Sequence, residues 1–227
     1  MRVVSIFKSI NGECSSQHQG SLCTFIRLAG CNLHCEWKSS DRKIVRCDTP
    51  YAQALDSGKE MSIPKIMAEV HKLNCKNIVI TGGEPLIQKE IYGLIDCLKA
   101  KNHRISVETN GSMFIFHVEG VHWVADWKCK SSGMEKFMCV ENFINLSAPD
   151  IIKFVIADRE DFDGALHAIN LMNDQFTLPR IAFSPTDRKM SAQLIEWMKE
   201  NKTLCNIGAV FSLQIHKIIY PNACTEV

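Results

Sequence analysis

The chain has 227 residues, and 46% of them are hydrophobic, which is enough for a packed core in one domain of ordinary size. Its 26 basic and 25 acidic residues leave a formal charge of +1, so the sequence gives no electrostatic argument for binding nucleic acid or an anionic membrane. The eleven cysteines are an odd number, which excludes a fully paired intramolecular disulfide framework. The amino-terminal segment lacks the regions of a secretory signal, so we expect a cytoplasmic protein in a reducing compartment.

Strand and helix patterns alternate along most of the chain, which favours βα units and a largely parallel sheet. Ser62 and Pro64 mark the start of one helix, and Ser191 is expected to cap another. The sequence predicts a single α/β domain over residues 1–227, an open partial (β/α) barrel with short terminal extensions, smaller than the roughly 250 residues of a complete eight-fold barrel. The predicted strands are residues 3–7, 23–28, 77–81, 104–109, 121–125, 151–156, 180–184 and 210–215, and the predicted helices begin near 62 and 91 and span 162–172 and 191–200.

Three cysteines share one irregular stretch after the second predicted strand. Cys31, Cys35 and Cys47 have the spacing C-x3-C-x11-C. A [4Fe-4S] cluster normally takes four cysteines, so three thiolates would leave one iron open for a substrate or cofactor. Two other interpretations stay open from the spacing alone: a structural zinc site with His34 as fourth ligand, and three unrelated thiols.

Two motifs resemble the signatures of the radical S-adenosylmethionine (SAM) superfamily. The first is CNLHCEW at residues 31–37, resumed by CDT at residues 47–49, and the second is TGGEP at residues 81–85, which in that superfamily holds the methionine amino group of SAM. Further segments follow in the order typical of one family in it, the 7-carboxy-7-deazaguanine synthases: INGE at 10–13, ETNG at 108–111, DWK at 126–128, KFV at 153–155, FSP at 183–185 and LQIHK at 213–217.

The resemblance implies a radical SAM lyase that converts 6-carboxy-5,6,7,8-tetrahydropterin to 7-carboxy-7-deazaguanine with loss of ammonia, a step of queuosine biosynthesis. It also implies a [4Fe-4S] cluster, SAM and Mg2+ as cofactors, an electron donor such as flavodoxin or ferredoxin, and a homodimer, with no nucleic-acid or membrane partner. One alternative is a radical SAM activase that forms a glycyl radical on a protein, since those enzymes also carry C-x3-C and a GGEP-like signature. A zinc-stabilised, non-catalytic binding module is the alternative from a different class.

On the cofactor side, the resemblance makes Cys31, Cys35 and Cys47 the ligands of three irons, with SAM on the fourth. Gly82 and Gly83 permit close backbone approach to the methionine because they lack a Cβ. The other residues that the resemblance assigns to cofactor binding are Trp37, Asp48, Glu84, Glu108, Asp126, Trp127, Lys128, Phe183 and Ser184.

On the substrate side, Arg27 is the candidate to bind the pterin carboxylate, because a guanidinium offers that group two parallel hydrogen bonds. Thr49 is the candidate ligand of Mg2+, an ion that takes few protein oxygens and shares its other positions with substrate and water. The other substrate contacts that the resemblance implies are Ile10, Asn11, Gly12, Glu13, Thr81 and His216.

The sequence departs from the family pattern in two segments. Residues 38–46 read as a nine-residue insertion before Cys47, with four positive charges and one negative, and docking of an acidic electron donor is one candidate role. Residues 220–227 run beyond the point where several members end, so no substrate contact is assigned to them. Among the remaining cysteines, Cys75 and Cys97 lie beside apolar helix positions and are expected to be buried.

Overall fold

The computed structural model describes residues 1–38, 42–173 and 178–222. Its strands are β1 (Arg2–Ile10), β2 (Leu22–Leu28), β3 (Glu36–Lys38), β4 (Ile44–Arg46), β5 (Lys59–Glu60), β6 (Asn77–Gly82), β7 (Arg104–Thr109), β8 (Val121–Trp127), β9 (Ile151–Ile156), β10 (Arg180–Pro185) and β11 (Val210–Phe211). Within the described residues, one sheet has the order β11-β10-β9-β8-β7-β6-β2-β1-β5, and β3 pairs with β4 separately. All pairs from β11 to β2 are parallel, while β1 and β5 join antiparallel at one edge. The predicted largely parallel sheet is confirmed.

The described residues contain seven α-helices, and all except the last contribute buried side chains to the main core on one face of this sheet. They are α1 (Ile63–Leu73), α2 (Ile91–Ala100), α3 (Val140–Asn145), α4 (Arg159–Asn173), α5 (Ser191–Glu200), α6 (Lys202–Asn206) and α7 (His216–Ile219). In β6, Ile78 and Ile80 pack in the main core with the apolar faces of α1 and α2, whereas Val79 lies on the opposite face with Cys23 and Phe25. Both faces of the strand are therefore buried, which explains its unbroken apolar run.

The last strand is shorter than predicted. β11 ends at Phe211 and does not reach residue 215. The chain leaves the sheet there, because the Ile215 amide donates to the Gly12 carbonyl at 3.0 Å and α7 begins at His216. This departure brings the carboxy-terminal segment over the end of β1.

The capping prediction for α5 is wrong. Ser191 is the first residue of the helix, and its buried hydroxyl has no hydrogen-bond partner. Asp187 caps the 3-10 turn that precedes α5, since its carboxylate accepts from the Lys189 amide at 3.0 Å. The helix starts predicted at Ser62 and near Ile91 are confirmed.

The prediction for two of the cysteines is also wrong. Cys97 is exposed because it lies off the buried stripe of α2, and Cys75 is partly exposed because it lies in the turn between α1 and β6, outside either helix. Cys14, Cys23 and Cys129 are buried instead. None of the ten cysteines in the described residues forms a disulfide.

Sequence patterns did not predict the hairpin of β3 and β4, in which β4 is the end of the insertion and β3 overlaps its start only at Lys38. Residues 39–41 at its centre lie outside the described residues, as do residues 223–227 of the tail and the cysteine at 224. In the described part of the chain, every helix is too short or too polar to cross a bilayer.

Candidate active site

A cavity of about 290 Å3 opens at the carboxyl ends of the parallel strands. Side chains that follow several parallel strands meet at this edge of a sheet, which is why ligand sites form there. The predicted site residues that line this cavity are Ile10, Asn11, Gly12, Glu13, Arg27, Cys31, Cys35, Trp37, Cys47, Asp48, Thr49, Thr81, Gly82, Gly83, Glu108, Asp126, Lys128, Ser184 and His216.

The three cysteines of the C-x3-C-x11-C pattern reach the cavity from one loop. Cys31 follows β2, and Cys35 and Cys47 flank the hairpin. The Asn110 side-chain amide lies 3.7 Å from the Cys31 sulfur. Burial raises the pKa of Cys31, and it raises the pKa of Cys35 to about 11 although the Lys128 ammonium acts in the opposite direction. Metal coordination would therefore have to offset the cost of deprotonating these two thiols.

The arrangement of the cysteines fits a cluster better than a single ion. A zinc ion needs its four ligands about 2.0–2.3 Å from one point. Among the described residues, no three His, Cys, Asp or Glu side chains are grouped closely enough to hold one metal ion. His34, the proposed fourth zinc ligand, is exposed and lines an outer groove. A [4Fe-4S] cluster spreads its thiolates over several irons, so cysteines around a common cavity fit that larger group.

The glycine turn after β6 is held against the cysteine loop by backbone contacts. The Gly83 amide donates to the Leu28 carbonyl at 3.1 Å, and the Glu84 amide donates to the Gly30 carbonyl at 2.7 Å. A Cβ on Gly83 would collide with the Gly30 carbonyl, lying 2.6 Å from its carbon. Because Gly30 directly precedes Cys31, the two signatures occupy a fixed position relative to each other.

Glu84 lies inside the protein and not on the cavity wall. Its carboxylate accepts hydrogen bonds from the Leu86 amide (3.0 Å), the Thr109 hydroxyl (2.9 Å) and the Asn110 amide (2.6 Å). Glu84 therefore connects the glycine turn to the end of β7, the strand that also carries Glu108. Burial raises the pKa of Glu84 to about 7, although these three donors favour the ionised form.

We expect Glu84 to make the free energy of unfolding depend on pH. Its ordinary pKa is 4.5 and its folded pKa is about 7, so the folded chain binds more protons between these values and loses stability as the pH rises through this window. From pH 5 to pH 8, the stability difference between wild type and Glu84→Gln should therefore shift by about 2.5 kcal/mol in favour of the variant. Urea unfolding of the reduced apoprotein measures this, with exposed Glu119→Gln as control. If the free energy of unfolding of Glu84→Gln depended on pH as steeply as that of wild type, the result would contradict this expectation.

A chain of buried charges lines one wall of the cavity. The Lys153 ammonium contacts Glu13 at 2.5 Å and Asp126 at 3.0 Å, and Lys128 contacts the other oxygen of Asp126 at 2.9 Å. Burial alone would lower the pKa of Lys153, but Asp126 and Glu13 hold it well above the ordinary value. Burial would likewise raise the pKa of Asp126, but Lys128 and Lys153 lower it. Lys153 and Asp126 are therefore both charged at neutral pH.

The carboxy-terminal segment adds further polar side chains to the lining of the cavity. Gln214 donates to Glu13 at 2.6 Å and to Asp48 at 2.9 Å, and Lys217 contacts the same Asp48 oxygen at 2.7 Å. The His216 ring lies so close to Gly12 that a Cβ there would overlap it. Burial lowers the pKa of His216, so the neutral ring is favoured.

The Arg27 guanidinium has no carboxylate within ion-pair distance among the described residues. It lines the cavity, and its guanidinium lies 5.9 Å from the centre of the Tyr51 ring. Its buried Nε has no hydrogen-bond partner among the described residues, in which Arg27 also forms no ion pair. A buried donor left unpaired costs free energy, so the site favours an anion at this position.

Comparisons with known proteins assign the chain to a family. A model described as the radical SAM superfamily matches residues 25–119. The chain is 35% identical to 7-carboxy-7-deazaguanine synthase from Clostridium acetobutylicum and 33% identical to that of Koribacter versatilis, with 97% of each sequence covered in both cases. The chain belongs to the 7-carboxy-7-deazaguanine synthase family.

A solved structure supports the fold of this family member. The chain is similar to the crystal structure of QueE from Escherichia coli, with a TM-score of 0.70 and 20% identity over 94% of this chain and 93% of that one. The prediction of an open partial (β/α) barrel in a single domain is confirmed. Membership of the radical SAM superfamily implies a [4Fe-4S] cluster and SAM as cofactors.

Besides Glu84, two residues that family resemblance assigned to the cofactor do not line the cavity. Successive side chains of a strand point to opposite faces. Because Asp126 lines the cavity, the Trp127 ring packs on the other face, 4.8 Å from the Phe143 ring centre. Phe183 likewise alternates with cavity-lining Ser184 and is fully buried in the core. Direct contact of these two side chains with a ligand in the cavity is therefore a prediction that we correct.

Three residues of the cavity belong to motifs that the sequence shares with the family, but the sequence did not predict a role for them. They are Lys153, Gln214 and Lys217, all of which line the cavity. A signal for Lys153 was present, since a lysine inside the apolar strand β9 must find a buried partner.

Proposed function

We propose that the chain is a radical SAM lyase that converts 6-carboxy-5,6,7,8-tetrahydropterin to 7-carboxy-7-deazaguanine with loss of ammonia, in queuosine biosynthesis. The observation that carries the proposal is that one cavity is lined by three cysteines, the glycine turn and Arg27, whose Nε has no hydrogen-bond partner among the described residues, in a chain 35% identical to a synthase of that name. When bound, the cluster and SAM supply a 5′-deoxyadenosyl radical, while the protein holds the reactants in place. The glycyl-radical activase and the zinc-binding module are not favoured.

On the cofactor side, we assign Cys31, Cys35 and Cys47 to the cluster. Gly82 and Gly83 leave backbone open to the methionine of SAM, since both line the cavity without side chains. Glu84 does not line the cavity, and its hydrogen bonds hold this turn in place. The other residues proposed to face the cofactors are Trp37, Asp48, Glu108, Asp126, Lys128 and Ser184.

On the substrate side, Arg27 binds the pterin carboxylate and Thr49 supplies an oxygen to Mg2+. The Thr49 hydroxyl lines the cavity and lies 3.5 Å from the Cys47 sulfur, which supports this assignment. Desolvation would raise the pKa of Asp48, but Lys217 holds it below its ordinary value, so Asp48 stays an anion. The other proposed substrate contacts are Ile10, Asn11, Gly12, Glu13, Thr81 and His216.

Arg27→Met should lower kcat/KM for the carboxypterin by between about 10- and 100-fold, because a charge-assisted hydrogen bond contributes about 1.5–3 kcal/mol. The loss should appear mainly in KM. Arg180→Met is the matched control, since Arg180 is exposed at the start of β10, far from the cavity mouth. An unchanged KM in Arg27→Met would contradict the assignment.

The activity is tested with anaerobically reconstituted protein. Iron, sulfide, SAM, Mg2+ and a reductant should give stoichiometric 5′-deoxyadenosine and 7-carboxy-7-deazaguanine from the carboxypterin, and EDTA treatment should slow turnover until Mg2+ is restored. A colourless protein that retains zinc would refute the proposal, as would SAM cleavage that requires a protein substrate.

We also propose a homodimer in the cytoplasm, reduced by flavodoxin or ferredoxin, with residues 1–227 forming one core domain and short terminal extensions. The support is the family membership and the cysteines, which are unpaired throughout the described residues and suit a reducing compartment. Light scattering during size-exclusion chromatography measures the oligomeric state.

A further inference from the structure

Asn110, the residue that follows β7, has a side-chain amide whose orientation is fixed by its neighbours. Its Oδ1 accepts hydrogen bonds from the Ser112 backbone amide at 3.0 Å and from the Ser112 hydroxyl at 2.6 Å. A backbone amide can only donate, so the oxygen of Asn110 faces Ser112 and the nitrogen faces away from it. The residue is buried, with 8% of its surface exposed. The two N–H groups of this side chain therefore have a defined direction.

That direction is toward the cysteine loop. The Asn110 Nδ2 donates to the Asn32 Oδ1 at 3.0 Å and to the Cys31 sulfur at 3.7 Å, a distance at which the large sulfur atom still accepts a hydrogen bond. The Asn32 Nδ2 in turn donates to the Ser112 hydroxyl at 2.8 Å. Asn110, Asn32 and Ser112 thus form a ring of hydrogen bonds, and this ring directs one N–H of Asn110 to Cys31.

The backbone of Asn110 is tied to the second signature. Its amide donates to the buried Glu84 carboxylate at 2.6 Å, and the Glu84 amide donates to the Gly30 carbonyl at 2.7 Å. Gly30 directly precedes Cys31 in the chain. Asn110 is therefore fixed through both its backbone and its side chain, and its amide stays beside the sulfur of one proposed cluster ligand.

We propose that Asn110 is a positioning residue that donates an N–H···S hydrogen bond to the Cys31 thiolate and thereby raises the reduction potential of the [4Fe-4S] cluster. The inference rests on the proposed function, in which Cys31 binds one iron. Reduction transfers one electron from an external reductant to the cluster, which passes from the 2+ to the 1+ state with no bond formed or broken. The cluster and its sulfurs then carry more negative charge, and a hydrogen bond to a more negative acceptor is stronger. A donor at Cys31 therefore stabilises the reduced state more than the oxidised state.

The test compares Asn110→Leu with Ser112→Ala. Leucine is close to asparagine in size but has no donor, whereas Ser112→Ala removes a hydroxyl from the same ring and keeps the backbone amide that orients Asn110. Potentiometric EPR titration with dithionite measures the reconstituted holoenzyme. We expect the equilibrium constant for one-electron reduction to be about 10-fold smaller in Asn110→Leu, a potential about 59 mV lower, and to change less than twofold in Ser112→Ala. A wild-type potential in Asn110→Leu would overturn the proposal, as would equal shifts in both variants.

A second measurement uses the wild-type chain and does not depend on whether Asn110→Leu binds iron. Pulsed EPR of the reduced cluster, in protein labelled with 15N only in asparagine side chains, should show a 15N hyperfine coupling. The Leu33 backbone amide, which donates to the same sulfur, is unlabelled and does not contribute. Absence of this coupling in wild type would overturn the proposal, as would its persistence in iron-loaded Asn110→Leu. Both measurements omit the carboxypterin, so a failure of the proposed lyase activity appears separately in the product assay.

Discussion

Lys153→Met should lower the free energy of unfolding of the reduced apoprotein by about 3–5 kcal/mol, because removal of one partner leaves a buried charge uncompensated. The Lys153 side chain is only 11% exposed, and it lies between Glu13 and Asp126, which are 18% and 19% exposed. Among the described residues, Asp126 keeps the charged partner Lys128, whereas the carboxylate of Glu13 keeps a hydrogen bond only from the neutral amide of Gln214. The uncompensated charge should therefore reside mainly on Glu13.

This origin of the loss can be tested with a second substitution. Adding Glu13→Gln to Lys153→Met should recover most of the lost stability, although Glu13→Gln alone should be destabilising. Lys130→Met is the control, since its ion pair with Glu160 is about two-thirds exposed and should contribute less than about 1 kcal/mol. Urea unfolding at pH 7 measures all four variants. Additive losses in the double variant would contradict the assignment.

This ion pair also shows what sequence patterns leave out. Glu13 and Lys153 lie 140 positions apart, and no periodicity or spacing relates them. The sheet order alone would separate them, because β9 lies five strands from β1 and neighbouring strands are about 4.8 Å apart. The curvature of the partial barrel and the loop after β1 bring Glu13 to Lys153. Local patterns predicted the strands, but the pairing of charges depends on this curvature.

The position of the site was predictable for a simple reason. Each signature follows an apolar strand, and parallel strands end at the same edge of a sheet, so Cys31 and Gly83 had to approach each other. For two neighbouring residues of a strand, the one whose side chain lies in the cavity was also predictable in principle. Strand alternation places Ser184 in the cavity and Phe183 in the core, and family resemblance alone missed this distinction.

The hairpin was less accessible to prediction. Its strands have three residues each, and only the pair of Trp37 and Val45 carries an apolar signal. Such short segments contain too few alternations to distinguish a strand from a loop. The positive charge of the insertion, by contrast, was visible in the sequence.

Gly83→Ala should lower the turnover of the reconstituted enzyme by about 100-fold, because a shift of about 1 Å in a reactive site can have an effect of that size. The new Cβ would collide with the Gly30 carbonyl and lie 2.8 Å from the Ala52 carbonyl oxygen. Both partners are backbone, and Gly30 is itself tied to Ala52 by a 2.8 Å hydrogen bond. Neither partner can move aside as a flexible side chain would, so either the glycine turn or the cysteine loop must move.

The matched control for this prediction is Gly164→Ala. Gly164 lies in helix α4 with nothing within 4 Å of the position that a Cβ would take, so the same chemical change should stabilise the protein by up to about 1 kcal/mol. Iron content, circular dichroism and SAM affinity should accompany the turnover assay. We expect Gly83→Ala to retain its secondary structure and to lose SAM affinity, because the collision is confined to the meeting point of the two signatures. Wild-type SAM affinity and turnover in Gly83→Ala would show that the glycine turn can shift without moving the site, and would refute its assignment to SAM.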